Sequence, residues 1–540
     1  MTSGTNGSRA MTSRKSFSIG GFAFVRSPWA RIAFVVAVFA VLAGALLTRP
    51  LKRLTDFDQS FYLTIAYDLV HHGTFSNGIF DDVDSTRAKP KPGMFFAPLY
   101  PLTVAAVAAL DSRFAATLDC TIEANEKHRP LASCDTYARP MFLVHAALLT
   151  IGVVAAAATG EIIFGGIAVF YLAAVLATLG VLWEADLFSH LMTESLSFCV
   201  QNLLGFAMVR ALRSGRWPAW ALAGAAAGIA ATARPPYLLL VPLGLAFIAA
   251  VALWPRLKEG GLTPRFPPPL RGRDREGGEP HAPSSRPTPL PNPPPQGGRE
   301  QAECGAGKML RLAAALPSAV AFVLAALLVL SPWLGRNVIS LGQARFTEEY
   351  GAVTLVERFA FNHMTAREFV LAFPYCVPIV GPPLVRTLFG DDALDRFEWN
   401  KPKSFFAEGR ARRDELVAAH GRIDPVFPLL LREELARNWW RHVLTTIPLA
   451  WCGLWVSGLF SAVLLPVFAV ALPLAARRHP LMLFYAAPGL LLALLYGVLA
   501  NHYPRYNLGL IGPIAVAAAW LAIDLVARRL YSRGFLARSL

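Results

Sequence analysis

Stretches of roughly 20 mostly apolar residues recur about ten times along this chain, and the ionisable residues avoid them. A helix of that length crosses a hydrocarbon core, and in lipid every backbone polar group must be hydrogen-bonded within its own segment. The chain is therefore held to an all-α integral membrane fold. Spans are expected near 32–48, 139–158, 166–183, 193–212, 218–233, 237–254, 311–333, 455–475, 480–499 and 508–527. The apolar stretch 97–110 is short and flanked by proline, which suits a re-entrant or interfacial helix better than a further span. Composition agrees: 54% of residues are hydrophobic and only 16% charged, with a mean hydropathy of +0.43.

The net charge of +15 points to topology rather than to nucleic acid. Arg9, Arg14, Lys15, Arg26 and Arg31 precede the first span, and with that end inside, the alternate loops are basic too. Arg210, Arg213 and Arg216, the segment 255–310, Arg477 and Arg478, and the tail with Arg528, Arg529, Arg533 and Arg538 all fall on the inner side. The loop 159–165 is the one inner loop without Lys or Arg.

This reading divides the chain into a basic cytoplasmic N-terminus (1–31), a membrane half (32–254) with a long outer loop (49–138), an insertion (255–310), a second membrane half (311–528) with an outer loop (336–454), and a basic tail (529–540). Helical spacing in the outer loops predicts surface helices over Asp58–His72, Pro98–Leu110, Glu408–Ala419 and Pro428–Leu444. Thr263–Arg299 holds twelve prolines among Gly, Arg and Ser, and no core can form from it.

The remaining charged and polar residues gather in clusters that this topology places on the outer face. Asp56 and Asp58 precede Tyr62. Pro98-Leu99-Tyr100-Pro101 opens the short apolar helix. Glu184, Asp186, His190 and Thr193-Glu194 fill a short loop. Ala233-Arg234-Pro235, Pro332-Trp333-Leu334-Gly335-Arg336-Asn337 and His502-Tyr503-Pro504-Arg505-Tyr506 follow. Each has a plain reading: a carboxylate in the first turn of a helix favoured by the dipole for Asp58 and Glu194, snorkelling to headgroups for Arg234 and Arg505, and a helix end for Arg336-Asn337.

In order, these elements resemble the type C glycosyltransferases, the multi-span enzymes that use polyprenyl-phosphate sugars. Nearest in pattern are the protein mannosyltransferases, the aminoarabinose transferases of lipid A and the bacterial transferases of lipopolysaccharide core sugars. The resemblance covers most of residues 30–525, with two departures: Asp58-Gln59 stands where the family often has Asp-Glu, and Ala233-Arg234-Pro235 where it has Thr-Arg-Pro.

It implies inverting transfer of a sugar from a polyprenyl-phosphate donor to a lipid, glycan or protein acceptor at the extracytoplasmic face of the inner membrane. Asp58, or Asp56 beside it, is the expected base. Arg234, Arg336, His502, Arg505 and Tyr506 are expected on the donor phosphate, and Tyr62, Tyr100 and Glu194 around them. Glu184 and Asp186 are candidates for Mg²⁺ or Mn²⁺. An extracytoplasmic loop would also permit a Cys120–Cys134 disulfide. Cys199 and Cys452 read as small apolar fillers, and Cys376 has no evident partner. A transporter or lipid-linked sugar flippase is the competing class. It calls for internal repeats and midplane charge, neither of which the sequence contains.

Overall fold

The computed structural model describes residues 27–49, 58–78, 90–126, 134, 136–253, 299–348, 350–500 and 503–532. The expected insertion lies mostly outside these, as do Asp56 and His502. Helices are the only regular elements among the described residues: α1 (Pro28–Leu47), α2 (Gln59–His72), α3 (Leu99–Leu110), α4 (Ser112–Glu126), α5 (Arg139–Phe164), α6 (Ile167–Trp183), α7 (Ala185–Phe188), α8 (Glu194–Ser214), α9 (Trp217–Ala233) and α10 (Leu240–Leu253), the last entered through a 3₁₀ turn at Pro235–Leu239. Then come α11 (Arg299–Leu341), α12 (Tyr350–Phe359), α13 (Ala366–Tyr375), α14 (Gly381–Phe389), α15 (Asp391–Asp395), α16 (Phe405–His420), α17 (Phe427–Leu430), α18 (Arg437–Leu454), α19 (Gly458–Arg478), α20 (Leu481–Leu499) and, after a 3₁₀ stretch at Pro504–Leu510, α21 (Ile511–Ser532).

Eight of these segments are long and apolar enough to span a membrane: Pro28–Leu47, Arg139–Phe164, Glu194–Ser214, Pro235–Leu253, Leu312–Leu341, Gly458–Arg478, Leu481–Leu499 and Pro504–Arg529. The two other expected spans form α6 and α9, each 17 residues. At 1.5 Å per residue that is about 25 Å, short of a core of about 30 Å. The chain is thus a multi-pass membrane protein.

α8 is the central helix, with 83% of its apolar window buried against 17% for α11 and 22% for α1, which face outward. It packs on α5 and α9, while α9 packs on α11 and α21 on α5 and α6. Its centrality explains how it carries polar residues. Gln201 accepts from the Tyr237 hydroxyl (3.4 Å), and Asn202 accepts from the Tyr485 hydroxyl (3.0 Å) and donates to the Phe198 carbonyl (2.9 Å). Thr150, Thr159 and Thr178 return their hydroxyls to the carbonyl one turn back, so each is satisfied within its own helix. Gly224 lies where a Cβ would run into the Phe322 backbone, which lets α9 and α11 approach closely.

At one end of the bundle, Arg31 pairs with Glu161 (2.7 Å) and Arg478 with Asp524 (3.2 Å). The expected loop 159–165 is corrected: α5 runs on to Phe164, and Glu161 lies in its last turn, where α1 supplies the basic partner. The opposite end carries the layer made by α12–α18. Two small cores hold it, one around Phe361, Phe397, Phe405 and Phe406, the other around Leu355, Val356, Leu416 and Ile423. A capping box at Thr365 and Glu368 starts α13.

Two expectations on this layer, and one at the opposite end, differ from the structure. The helix predicted over Pro428–Leu444 runs on to Leu454, through a π-helical turn at Leu431–Ala436. Cys452 is no apolar filler: it forms a disulfide with Cys376, whose partner the sequence did not reveal. On the inner side, α11 begins at Arg299, within the segment 255–310 expected as the insertion.

Candidate active site

Four chain segments that lie far apart in sequence end at one place, each at a helix terminus. Asp58 immediately precedes α2, and Thr193-Glu194 opens α8. Arg234 ends α9, because the residue before a proline is pushed to extended backbone (φ −146°, ψ 131°) and the helix cannot continue into Pro235. Arg505 sits in the 3₁₀ stretch before α21.

Their side chains converge. Arg234 donates from Nη2 to Glu194 Oε1 (2.9 Å) and from Nε to the Thr193 hydroxyl (2.9 Å). Arg505 places Nη2 3.1 Å from Asp58 Oδ2 and Nη1 3.7 Å from Glu194 Oε1. The Tyr506 ring lies under both guanidiniums, 5.3 Å from Arg234 and 5.1 Å from Arg505.

Exposure grades across the cluster. The Glu194 side chain is 2% exposed, Arg234 10%, Arg505 17% and Asp58 40%. Glu194 is the buried anchor and Asp58 the group that meets solvent. Glu194 Oε2 is buried without a hydrogen-bond partner among the described residues.

Tyrosines wall the cluster. Tyr62 and Tyr100 meet edge to face at 5.2 Å. Burial, then the Asp58 charge, holds the Tyr62 phenol well above its ordinary pKa, so it stays protonated. The Tyr100 hydroxyl reaches His145 Nε2 (3.0 Å), and His145 Nδ1 donates to the Phe188 carbonyl (3.0 Å). That second bond puts the ring proton on Nδ1 and leaves Nε2 to accept from Tyr100. His145 escaped sequence analysis, although a lone histidine inside an apolar span was the available signal. Gln59, beside Asp58, accepts from the Leu191 backbone N–H (2.8 Å) and fixes the loop that leads to Glu194.

Other candidates stand elsewhere. Arg336 donates to the carbonyls of Phe75 (2.6 Å) and Gly93 (2.5 Å), Trp333 donates to Phe346 (2.7 Å), and Asn337 to Arg345 (2.9 Å). That motif clasps the two outer loops together rather than joining the cluster. Asp186 pairs with Arg49 (3.0 Å). The Glu184 pKa is raised by burial and secondarily by Asp186. Among the described residues no three His, Cys, Asp or Glu side chains gather as a metal site. Glu184 and Asp186 have no third such ligand beside them among the described residues, and no step is routed through Mg²⁺ or Mn²⁺. Cys120 and Cys134 form a disulfide.

No protein-family model matches the chain, and no curated protein or solved structure does.

Proposed function

We propose that this chain is a glycosyltransferase that moves a sugar from a polyprenyl-phosphate donor to a hydroxyl of a lipid, glycan or protein acceptor, with lipopolysaccharide-type envelope glycoconjugates as the acceptor class. The observation that carries this reading is the convergence of Asp58, Glu194, Arg234 and Arg505 at the ends of membrane helices. One carboxylate is exposed with the Arg505 guanidinium against it, and Arg234 stands behind on Glu194.

Asp58 takes the proton of the acceptor hydroxyl as its oxygen attacks the anomeric carbon. The bond from that carbon to the phosphate oxygen breaks, and the electron pair leaves with the phosphate. Arg505, and Arg234 behind it, stabilise the departing charge. Attack opposite the leaving group inverts the anomeric centre. Glu194 keeps both arginines in place. The ordered motifs named above support the family, and a charge cluster at helix ends rather than at midspan favours an enzyme over a transporter.

Localisation belongs to the same proposal. The cluster faces outward from the inner membrane. Both disulfides lie on the cluster's side of the bundle, and disulfides persist in oxidising compartments.

The test is sugar transfer from a polyprenyl-phosphate donor by purified protein in nanodiscs. Asp58→Asn should stay folded and lose at least about 100-fold in turnover. Retention of more than about a tenth of the wild-type rate, a loss below roughly 1.4 kcal/mol in barrier, removes Asp58 as the base.

A further inference from the structure

A second basic site lies away from the acid cluster. A cavity of about 260 Å³ is lined by Arg49, Arg113 and Arg139, with Tyr137, Leu47 and Phe142. The three arginines come from separate segments: just past α1, the first turn of α4, and the first residue of α5. No carboxylate stands among the described residues that line it.

The walls are fixed. The Cys120–Cys134 disulfide ties α4 to the segment that leads into α5, and the Tyr137 backbone N–H donates to the Thr117 hydroxyl (3.1 Å). Arg113 lies over the Tyr137 ring at 4.4 Å, and Asp186 braces Arg49.

The cavity's level follows from the spans. Pro28–Leu47 ends there and Arg139–Phe164 begins there, and the two helices pack together. Such a position is at headgroup height. Below it, α1 turns Ile32, Val36, Val41 and Leu47 outward, 40–59% exposed, a surface for acyl chains. The volume falls below the roughly 300–1,000 Å³ usual for drug-sized ligands, so it suits a headgroup rather than a whole lipid. Arginine forks match phosphate oxygens in geometry and charge.

We propose that this cavity binds the phosphate of an anionic lipid headgroup in the leaflet on the acid cluster's side. The site is independent of the transfer reaction, and its test reads lipid occupancy rather than activity.

The experiment is native mass spectrometry of the purified full-length chain incubated with phosphatidylglycerol. Arg113→Gln/Arg139→Gln should lower bound lipid about tenfold, while Arg386→Gln/Arg412→Gln, which neutralises two exposed arginines elsewhere on the outer layer, should leave it unchanged. Arg139→Gln alone, an exposed helix-terminal change, supplies the same reading should the double variant not fold, with a loss of a few fold. Equal retention by wild type and by the cavity variants overturns the proposal. Excess inorganic phosphate should not displace the lipid, and displacement would mark a free-anion site and overturn the lipid assignment. Competition by polyprenyl phosphate would tie the cavity to the donor and overturn its independence of the transfer reaction.

Discussion

Two arginines in this molecule are deeply buried for opposite reasons. Arg358, in α12, is 0% exposed and meets no carboxylate among the described residues. It donates to the carbonyls of Gly497 (2.7 Å) and His442 (3.2 Å), to Asn362 (3.0 Å), and to the hydroxyls of Thr445 (2.9 Å) and Thr446 (3.3 Å). Neutral acceptors from α18 and the end of α20 surround it, so it joins the outer layer to the bundle. Arg234, in contrast, lies against Glu194, whose second oxygen is unpartnered among the described residues, and it shares that carboxylate with an arginine that reaches Asp58. A buried cation ringed by neutral acceptors holds structure. A buried cation among carboxylates, one of them exposed, has the arrangement that the proposed transfer needs.

The sharpest way to break that contrast is Glu194→Ala. It leaves two guanidiniums without their shared counter-charge, a loss on the order of 3–5 kcal/mol for an uncompensated buried charge, and it should abolish transfer as well. Thermal unfolding followed by tryptophan fluorescence, alongside the transfer assay, reads both. Full activity in this variant would make Glu194 a plain first-turn acid.

Arg358→Met comes next. It strands several buried acceptors at about 1–3 kcal/mol for each that finds no new partner, so the melting temperature should fall. Transfer measured well below that temperature should stay within a few fold of wild type, since the side chain touches none of the cluster. A collapse of turnover with unchanged melting would erase the distinction between the two arginines.

A smaller effect should appear with pH. His442, between α12 and α20, has its pKa lowered to about 4 by burial and then by the Arg358 charge. A depressed folded pKa means that the stability it contributes is whole above the ordinary histidine value of about 6.5. It is lost as pH falls from there toward about 4, because the unfolded chain binds the proton first. The outer layer should therefore loosen in that window, read as hydrogen exchange in α12 and α18, and His442→Gln should flatten the dependence. An unchanged profile would mean that His442 does not titrate with unfolding.

Sequence alone revealed the all-α membrane class, the outer helices and the four cluster residues as separate candidates, because each sits where an apolar run stops and the stop itself is visible. Partnership was not visible. Asp58 and Arg505 are 447 positions apart, and no local pattern encodes a contact across that distance. Glu194 looked like any acid in a first helical turn until Arg234 folded back onto it. Arg336 carries the same Arg-Asn signature whether it binds phosphate or the carbonyls of Phe75 and Gly93. The Cys376–Cys452 pairing depends on how α13 docks against α18, where Trp451 donates to the Phe373 carbonyl (2.9 Å). Arg358 gave no signal at all, since a charged residue in an amphipathic helix ordinarily faces water.

The smallest expected effect lies at the opposite end of the bundle. Arg31 and Glu161 make two contacts, at 2.7 and 3.1 Å, as close as any in the acid cluster, yet their side chains are 40% and 28% exposed. Ion pairs in reach of water contribute about 0–1 kcal/mol and weaken with salt. Arg31→Gln should shift the melting temperature little, add nothing when combined with Glu161→Gln, and leave transfer unchanged. The double-mutant cycle, run at low and high ionic strength, isolates the pair. A coupling of more than about 2 kcal/mol would mean that this end is as desolvated as the cluster. Exposure would then have failed to separate a surface pair from a site, and the case for the acid cluster would rest on its convergence alone.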